Sequence, residues 1–488
     1  MRLPRLLALH TSPAAVPASL PAVPATLLAV PATPVAVPAT PLAVPALVLA
    51  FAAVLLASPA LAQESATLRQ FRAILPPGST LTFERSAPVA GPEEGITLEN
   101  VVIARPNNER TTMASLTLVG LRTDGAARIA LRDLVAPSPN GPVRVGSLEA
   151  TGIAIRRRPP GQTQQPDDFK LTSVVVENFS GTARPAFTIA RFAMNNWGIG
   201  RRTEGEITGI SFTGIPDNPI QDATIARLAV SGVDIASIAT AAAQSRNPGQ
   251  QPPGRQTAAI EGVVLRAVGG AALGGLESLA MEGETDAQGS GTGQLAMRGL
   301  RVERTPQTAQ GLDAVGLDRV EASLTFNGTY DAPAGRLVIP AFALGVRELG
   351  AVALALGIDG YTPEAAQRHD LSRVRLLHAR LRYADQSLYR RAVRAQAQRA
   401  GGPGGEQAIR DQHAQAVSST LASATPNPAL DALRDVLLRF IRGEINIVEL
   451  QAQPAQPVPV MSLGQTAQQG PGAITRQLNV TARGERAP

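Results

Sequence analysis

The chain has 488 residues, of which 17% are charged and 3% aromatic, with a formal net charge of +6 and no cysteine. Such a length builds several cores or one elongated repeat structure, and with so few aromatics the core must come from Ala, Val, Leu and Ile. Absent cysteine excludes a disulfide framework and thiol chemistry, and +6 spread over this length gives no basic stripe of the kind nucleic acid requires.

Residues 1–62 read as an export leader. Arg2 and Arg5 give a positive start, Ala46 to Ala57 an apolar run, and Ala60-Leu61-Ala62 a small-residue cleavage site before Gln63. The run is shorter than the roughly 20 residues of a bilayer-spanning helix, so the mature chain is expected to begin at Gln63 with no transmembrane anchor. Between charge and apolar run, Ala-Val-Pro-Ala recurs from Ala15, Ala22, Ala29, Ala36 and Ala43. Proline at that density forbids a regular helix.

From Thr67 to Tyr361 nearly every signal is strand. A five-residue pattern recurs: Leu or Ile, any residue, an apolar or small residue, any residue, Gly. It stands at Leu116 to Gly120, Leu148 to Gly152, Ile210 to Gly214, Leu228 to Gly232, Leu279 to Gly283, Leu295 to Gly299 and Leu324 to Gly328. Alternation ending in Gly predicts a half-buried strand running into a turn. Val143 to Ile155, Phe169 to Phe179, Phe187 to Trp197 and Glu321 to Tyr330 are among the clearest strands. Copies are unevenly spaced, which fits hairpins of unequal length and not a propeller or a leucine-rich array. Pro-, Gln- and Gly-rich loops are expected at Arg156 to Asp168, Gln244 to Thr257 and Asp286 to Gly293.

Beyond Tyr361 the pattern turns helical at Ser387 to Arg399, Glu406 to Ser423 and Pro428 to Arg442. The last has Asn427 as its cap, Pro428 in its first turn, Gly443 as its stop and a stripe of Leu430, Leu433, Leu437, Phe440 and Ile441. A strand at Glu444 to Leu450 and a Pro- and Gln-rich tail with a last strand at Arg476 to Ala482 close the chain. The expected organisation is a leader (1–62), a β-repeat region (63–361), a helical cap with flanking strands (362–450) and a tail (451–488). The fold class is mainly β: an elongated, curved, meandering antiparallel sheet with a small C-terminal helical cap.

Chemistry-bearing motifs are sparse. No nucleophile elbow, phosphate loop, H-E-x-x-H or dinucleotide fingerprint occurs, and no cofactor is called for. His369-Asp370 with His378 is the one cluster of metal-ligand types, at a spacing that matches no helical pair. His413 sits on the second helix between Ile409 and Val417, and Trp197, with Phe187 and Phe192, is read as sheet packing. Two surfaces remain as candidates. The motif positions Leu116, Leu118, Leu228, Val230, Leu295, Met297, Leu324 and Phe326 give a possible apolar groove. Arg373, Arg375, Arg380 and Arg382 lie in the densest basic zone, where guanidinium forks suit phosphate or carboxylate unless they form a solvated face.

The half-apolar strands, the leader, and Phe342-Ala343-Leu344-Gly345-Val346-Arg347-Glu348-Leu349-Gly350 leading into Leu381-Arg382-Tyr383-Ala384-Asp385 resemble envelope proteins of the AsmA and TamB-like group. That resemblance implies a periplasmic β groove that shields or moves lipid, with phospholipid or another apolar ligand as partner. A shorter groove and a cleavable leader in place of an anchor set this chain apart. Three readings follow: a non-enzymatic apolar-ligand protein, a structural module of the envelope with a protein partner, or an exported carbohydrate-active enzyme with paired carboxylates.

Overall fold

A computed structural model describes residues 65–487 except 140, 160–163, 217, 247–250, 369, 402–404 and 423–425. The leader, its repeats and His369 lie outside the described residues. Helix α1 (Ala66–Ile74) comes first, capped by the Ser65 hydroxyl, which accepts from the Leu68 amide at 3.2 Å. It contradicts the expectation of strand here: Leu68, Phe71 and Ile74 recur at helical spacing and are buried.

Short strands β1 (Thr80–Thr82) and β2 (Arg85–Pro88) both pair with β3 (Gly95–Ala104). A meander follows through β4 (Arg110–Val119), β5 (Gly125–Ala136), β6 (Val143–Ile155), β7 (Phe169–Gly181), β8 (Ala186–Trp197), β9 (Thr203–Thr213) and β10 (Asp222–Val233). Helix α2 (Ile235–Ala243) interrupts it before β11 (Gly254–Arg266), β12 (Ala272–Thr285) and β13 (Gly291–Glu303). Helix α3 (Ala309–Val315) precedes β14 (Arg319–Asp331), β15 (Arg336–Val346) and β16 (Gly350–Asp359), and α4 (Pro363–Arg368) precedes β17 (Arg375–Asp385). Each strand from β3 to β17 pairs antiparallel with its sequence neighbour in one open, curved sheet.

Helices α5 (Leu388–Ala400), α6 (Gly405–Thr420) and α7 (Pro428–Arg442) follow, then β18 (Ile447–Ala452) on β17 and β19 (Val458–Pro459) beside it. The tail departs from expectation. It forms α8 (Val460–Gln468) and α9 (Pro471–Gln477), and the last strand, β20 (Val480–Glu485), starts four residues later than foreseen. Pro471 suits a first helical turn, and the Asn427 cap of α7 also donates from its amide to the Gly472 carbonyl and the Thr475 hydroxyl, at 3.1 and 3.0 Å, tying α9 down.

Strict alternation would bury every second residue, yet at one level of each strand two successive buried residues stand three apart: Leu98 and Val101, Met113 and Leu116, Leu131 and Leu134, Val145 and Leu148, Val176 and Phe179, Ile189 and Phe192. Between them, alternate strands carry a residue with positive φ: Asn100, Asp133, Asn178, Gly209, Gly262 and Gly299 on β3, β5, β7, β9, β11 and β13. By register these oppose Ala114, Gly146, Ala190, Ala226 and Glu277 on the strands between. Each strand therefore holds one extra residue at the same level, and pairing continues unshifted through a crease that crosses eleven strands. The crease ends where β14 has no extra residue, and there the register shifts between Met297 and Leu300.

A second crease runs through Gly120, Ala127, Gly152, Thr172 and Asn196, with positive φ at Gly120, Gly152 and Asn196. The glycine of the sequence motif is thus a strand-interior crease residue at Gly152 and Gly299, and a bulge at Gly232, where the register against β9 shifts between Ser231 and Val233, not the turn it was expected to make. At Gly262 a Cβ would stand 2.6 Å from the Ala226 Cβ with φ at +65°, whereas at Gly293 nothing lies within 4 Å and φ is ordinary. Gly262→Ala is expected to cost about 1–2 kcal/mol and to lower the thermal midpoint, while Gly293→Ala leaves it unchanged or raises it.

Candidate functional site

Residues paired across a sheet share a face, so the register shows what each strand contributes to it. Leu98 pairs with Leu116, and the line continues through Leu131, Leu148, Val176, Phe192 and Ile207 on β5 to β9. From Ile207 it passes to Leu228, Ile260, Leu279, Met297, Leu324, Leu344, Val352, Tyr383 and Val448. Sixteen strands thus supply one unbroken apolar row. A parallel row lies two residues along each strand, and its later members are Val230, Ala258, Met281, Leu295, Phe326, Phe342, Leu354, Leu381 and Leu450.

All eight groove candidates fall on these rows: Leu116, Leu228, Met297 and Leu324 on the first, Leu118, Val230, Leu295 and Phe326 on the second. They do not share one environment. Leu116 and Leu118 are 1% and 0% exposed, in a core that gathers the inward side chains of β3 to β9 with Leu68, Phe71 and Ile74 of α1. From β10 to β16 the large side chains of both rows are only half-buried, and Met281 is 47% exposed. At the far end α7 covers the first row again: Val436 packs with Val448 in a small core that Leu437, Phe440, Leu450 and Ala482 join, and the Phe440 ring meets Tyr383 edge-on at 5.9 Å, while Leu381 of the second row stays 39% exposed. Among the described residues the apolar face is closed at the β3 to β9 end, uncovered in the middle and covered along its first row by the C-terminal cap.

The opposite face is polar. Arg227 reaches Glu206 at 2.7 Å and Glu261 at 2.9 Å on its two neighbouring strands, and Arg191 also approaches Glu206. Arg380 and Arg382 belong to this face. Arg380 holds Glu449 at 2.6 Å, which keeps that carboxyl below its ordinary range, and Arg382 lies 4.0 Å from Glu485. Arg375 grips Asp359 with both arms of its fork at 2.9 and 3.1 Å, and Arg373 is exposed in the turn before β17. Three of the four candidate anion-binding arginines therefore already face carboxylates of the sheet.

Asp370 turns inward on its own loop, accepting from the Ser372 amide at 2.9 Å. His378 lies opposite Gly357 on the neighbouring strand, where its ring fills the space a Cβ would take. Among the described residues no three His, Asp or Glu side chains are placed to hold a metal ion. Trp197 is buried in the core and donates to the Pro166 carbonyl at 3.2 Å. Phe187 meets Phe179 edge-on at 5.0 Å.

A polar and aromatic knot lies beneath the cap. The Tyr383 hydroxyl donates to Asp385 at 2.6 Å, and burial foremost, then that bond, pushes the phenol well above its ordinary pKa. Asp385 also accepts from the Tyr389 amide at 3.0 Å. The Tyr389 ring lies 5.2 Å from Phe440, and its hydroxyl is 3.2 Å from His413 Nδ1. Sequence reasoning placed His413 against a neighbour but did not see this knot, because its members come from β17, α5, α6 and α7.

A family model described as an uncharacterized protein matches residues 343–485, the stretch that holds β16 to β20 and the cap. No curated protein matches the chain. No helix of the described residues is long and apolar enough to cross a membrane.

The burial gradient along one row is directly measurable. Leu116→Ala removes a side chain packed on all sides and is expected to cost about 2–5 kcal/mol. Leu228→Ala, on the same row but half-buried, should cost less than about 1.5 kcal/mol, read as a smaller fall in thermal midpoint.

Proposed function

We propose that this chain is an envelope protein that binds an apolar, chain-like ligand of the lipid class on the uncovered rows of β11 to β16. One observation carries the reading: paired Leu, Ile, Met, Val and Phe side chains run continuously from β11 to β16 and are only half-buried, beyond Leu228 of β10, which still packs against the core that α2 joins. A contiguous water-facing apolar strip of that kind often marks a binding site.

Its dimensions favour a narrow occupant. Six strands, each taking about 4.8 Å, make a strip about 30 Å long, and two rows make it about 14 Å across. The resulting area, about 400 Å², falls short of the roughly 800 Å² per partner of a stable protein interface. An acyl chain lying along the rows would gain about 0.8 kcal/mol per methylene removed from water. Binding of this kind calls on no catalytic group. The positive start, apolar run and Ala-Leu-Ala site of the leader support a periplasmic location.

Gentle purification from the bacterial envelope, followed by native mass spectrometry and lipid extraction, tests this reading. Phospholipid should travel with the chain and be lost from a Leu324→Asp, Phe326→Asp double variant that keeps its circular dichroism spectrum. A lipid-free monomer, or equal lipid on both proteins, would overturn it.

A further inference from the structure

The cap of α5 to α7 lies over the end of the apolar rows, and one side chain inside it is poorly suited to carrying charge. His413, on α6, has its Nδ1 at the Tyr389 hydroxyl of α5, 3.2 Å away, while its Nε2 is buried without any hydrogen-bond partner. From its own helix, one turn back, Arg410 sets its guanidinium 5.7 Å from the centre of the Tyr389 ring and donates to the Ile441 carbonyl of α7 at 3.0 Å. From α7 the nearest ring is Phe440, which meets Tyr389 at a tilt of 51° and leads to Tyr383 on the first apolar row.

The carboxylates of the region are engaged elsewhere. Asp385 accepts from Tyr383 and Tyr389, Glu406 holds Arg394 at 3.0 Å on the exposed side of α5 and α6, and Asp411 accepts from Gln407. A neutral imidazole needs only one partner here, but an imidazolium needs an acceptor for each ring N–H. On protonation, the Nε2–H would have none, and a second cation would join Arg410 inside the cap.

We infer that His413 is an acid-sensitive latch: neutral, it lets α5, α6 and α7 close over Tyr383, Val448 and Leu450, and charged, it loosens the cap and extends the uncovered strip onto β17 and β18. The latch rests on the apolar-ligand reading only for its purpose, not for its mechanics. Burial holds the His413 pKa below its ordinary value of about 6.5. The stability that the neutral ring contributes is therefore complete above that value and is lost as the pH falls below it.

Hydrogen exchange on the full chain at pH 7.5 and 5.5, with labelling times scaled to the intrinsic rate, reads the cap directly. Residues 388–442 should lose protection several-fold more than β3 to β9 on acidification in the parent, and should not in His413→Gln or His413→Phe. Binding of pyrene, uncharged at both pH values, should tighten several-fold at the lower pH in the parent alone. Equal loss of protection in parent and both variants would overturn the latch, whatever pyrene does. Loss confined to the parent, with pyrene bound at neither pH, would uphold the latch and overturn the lipid-strip reading.

Discussion

A sheet with one apolar face survives only if every strand keeps that face in phase, and this constraint governs the whole molecule. One extra residue in a single strand would turn all its later side chains to the wrong side. The creases satisfy the constraint collectively. Because β3 to β13 each take their extra residue at the same level, the strands change phase together, and Leu98, Leu116 and Leu131 stay aligned with Leu228 and Met297 far along the sheet. Extra residues raise local twist and bend a strand, so a line of them bends the sheet as a unit.

Curvature then divides the apolar face into environments that composition alone does not separate. Around β3 to β9 the inward side chains meet one another and α1, forming a core whose largest fully buried members include Trp197, Phe71 and Leu98. Around β10 to β16 the same residue types, in the same rows, remain half-exposed. Helix α3 closes only one flank there, with Leu312, Val315 and Leu317 packed with Leu349. The C-terminal cap buries the first row again at Val448, through Val436 and Ile445, and leaves Leu381 exposed. What distinguishes the candidate site from the core is thus cover and not chemistry.

Much of this was legible in the sequence. The motif identified strands and, through its first and third positions, two adjacent rows of the inward face, and Asn427, Pro428 and Gly443 placed α7 to the residue. What was missed has physical causes. Helices α1, α3 and α4 span two turns or so and take their stability from packing, not from a long periodic stripe. The creases left a trace that alternation templates pass over: apolar, polar, then Asn, Asp or Gly, then apolar, as in Leu98-Glu99-Asn100-Val101, Leu131-Arg132-Asp133-Leu134, Val176-Glu177-Asn178-Phe179 and Ile260-Glu261-Gly262-Val263. Asn, Asp and Gly are the residues that tolerate the left-handed backbone required there. Partners such as Arg375 with Asp359, or His413 with Tyr389, depend on register and helix packing and have no local signature.

Because the chain is free of cysteine, single cysteines can report cover along one face without background. The most direct measurement is the rate at which a water-soluble maleimide labels Leu116→Cys, Leu118→Cys, Met281→Cys and Met297→Cys in the folded protein. The account predicts labelling at 281 and 297 orders of magnitude faster than at 116 and 118, and slowed when lipid is supplied. Uniformly slow labelling at all four positions would show the middle of the sheet to be covered and would contradict it.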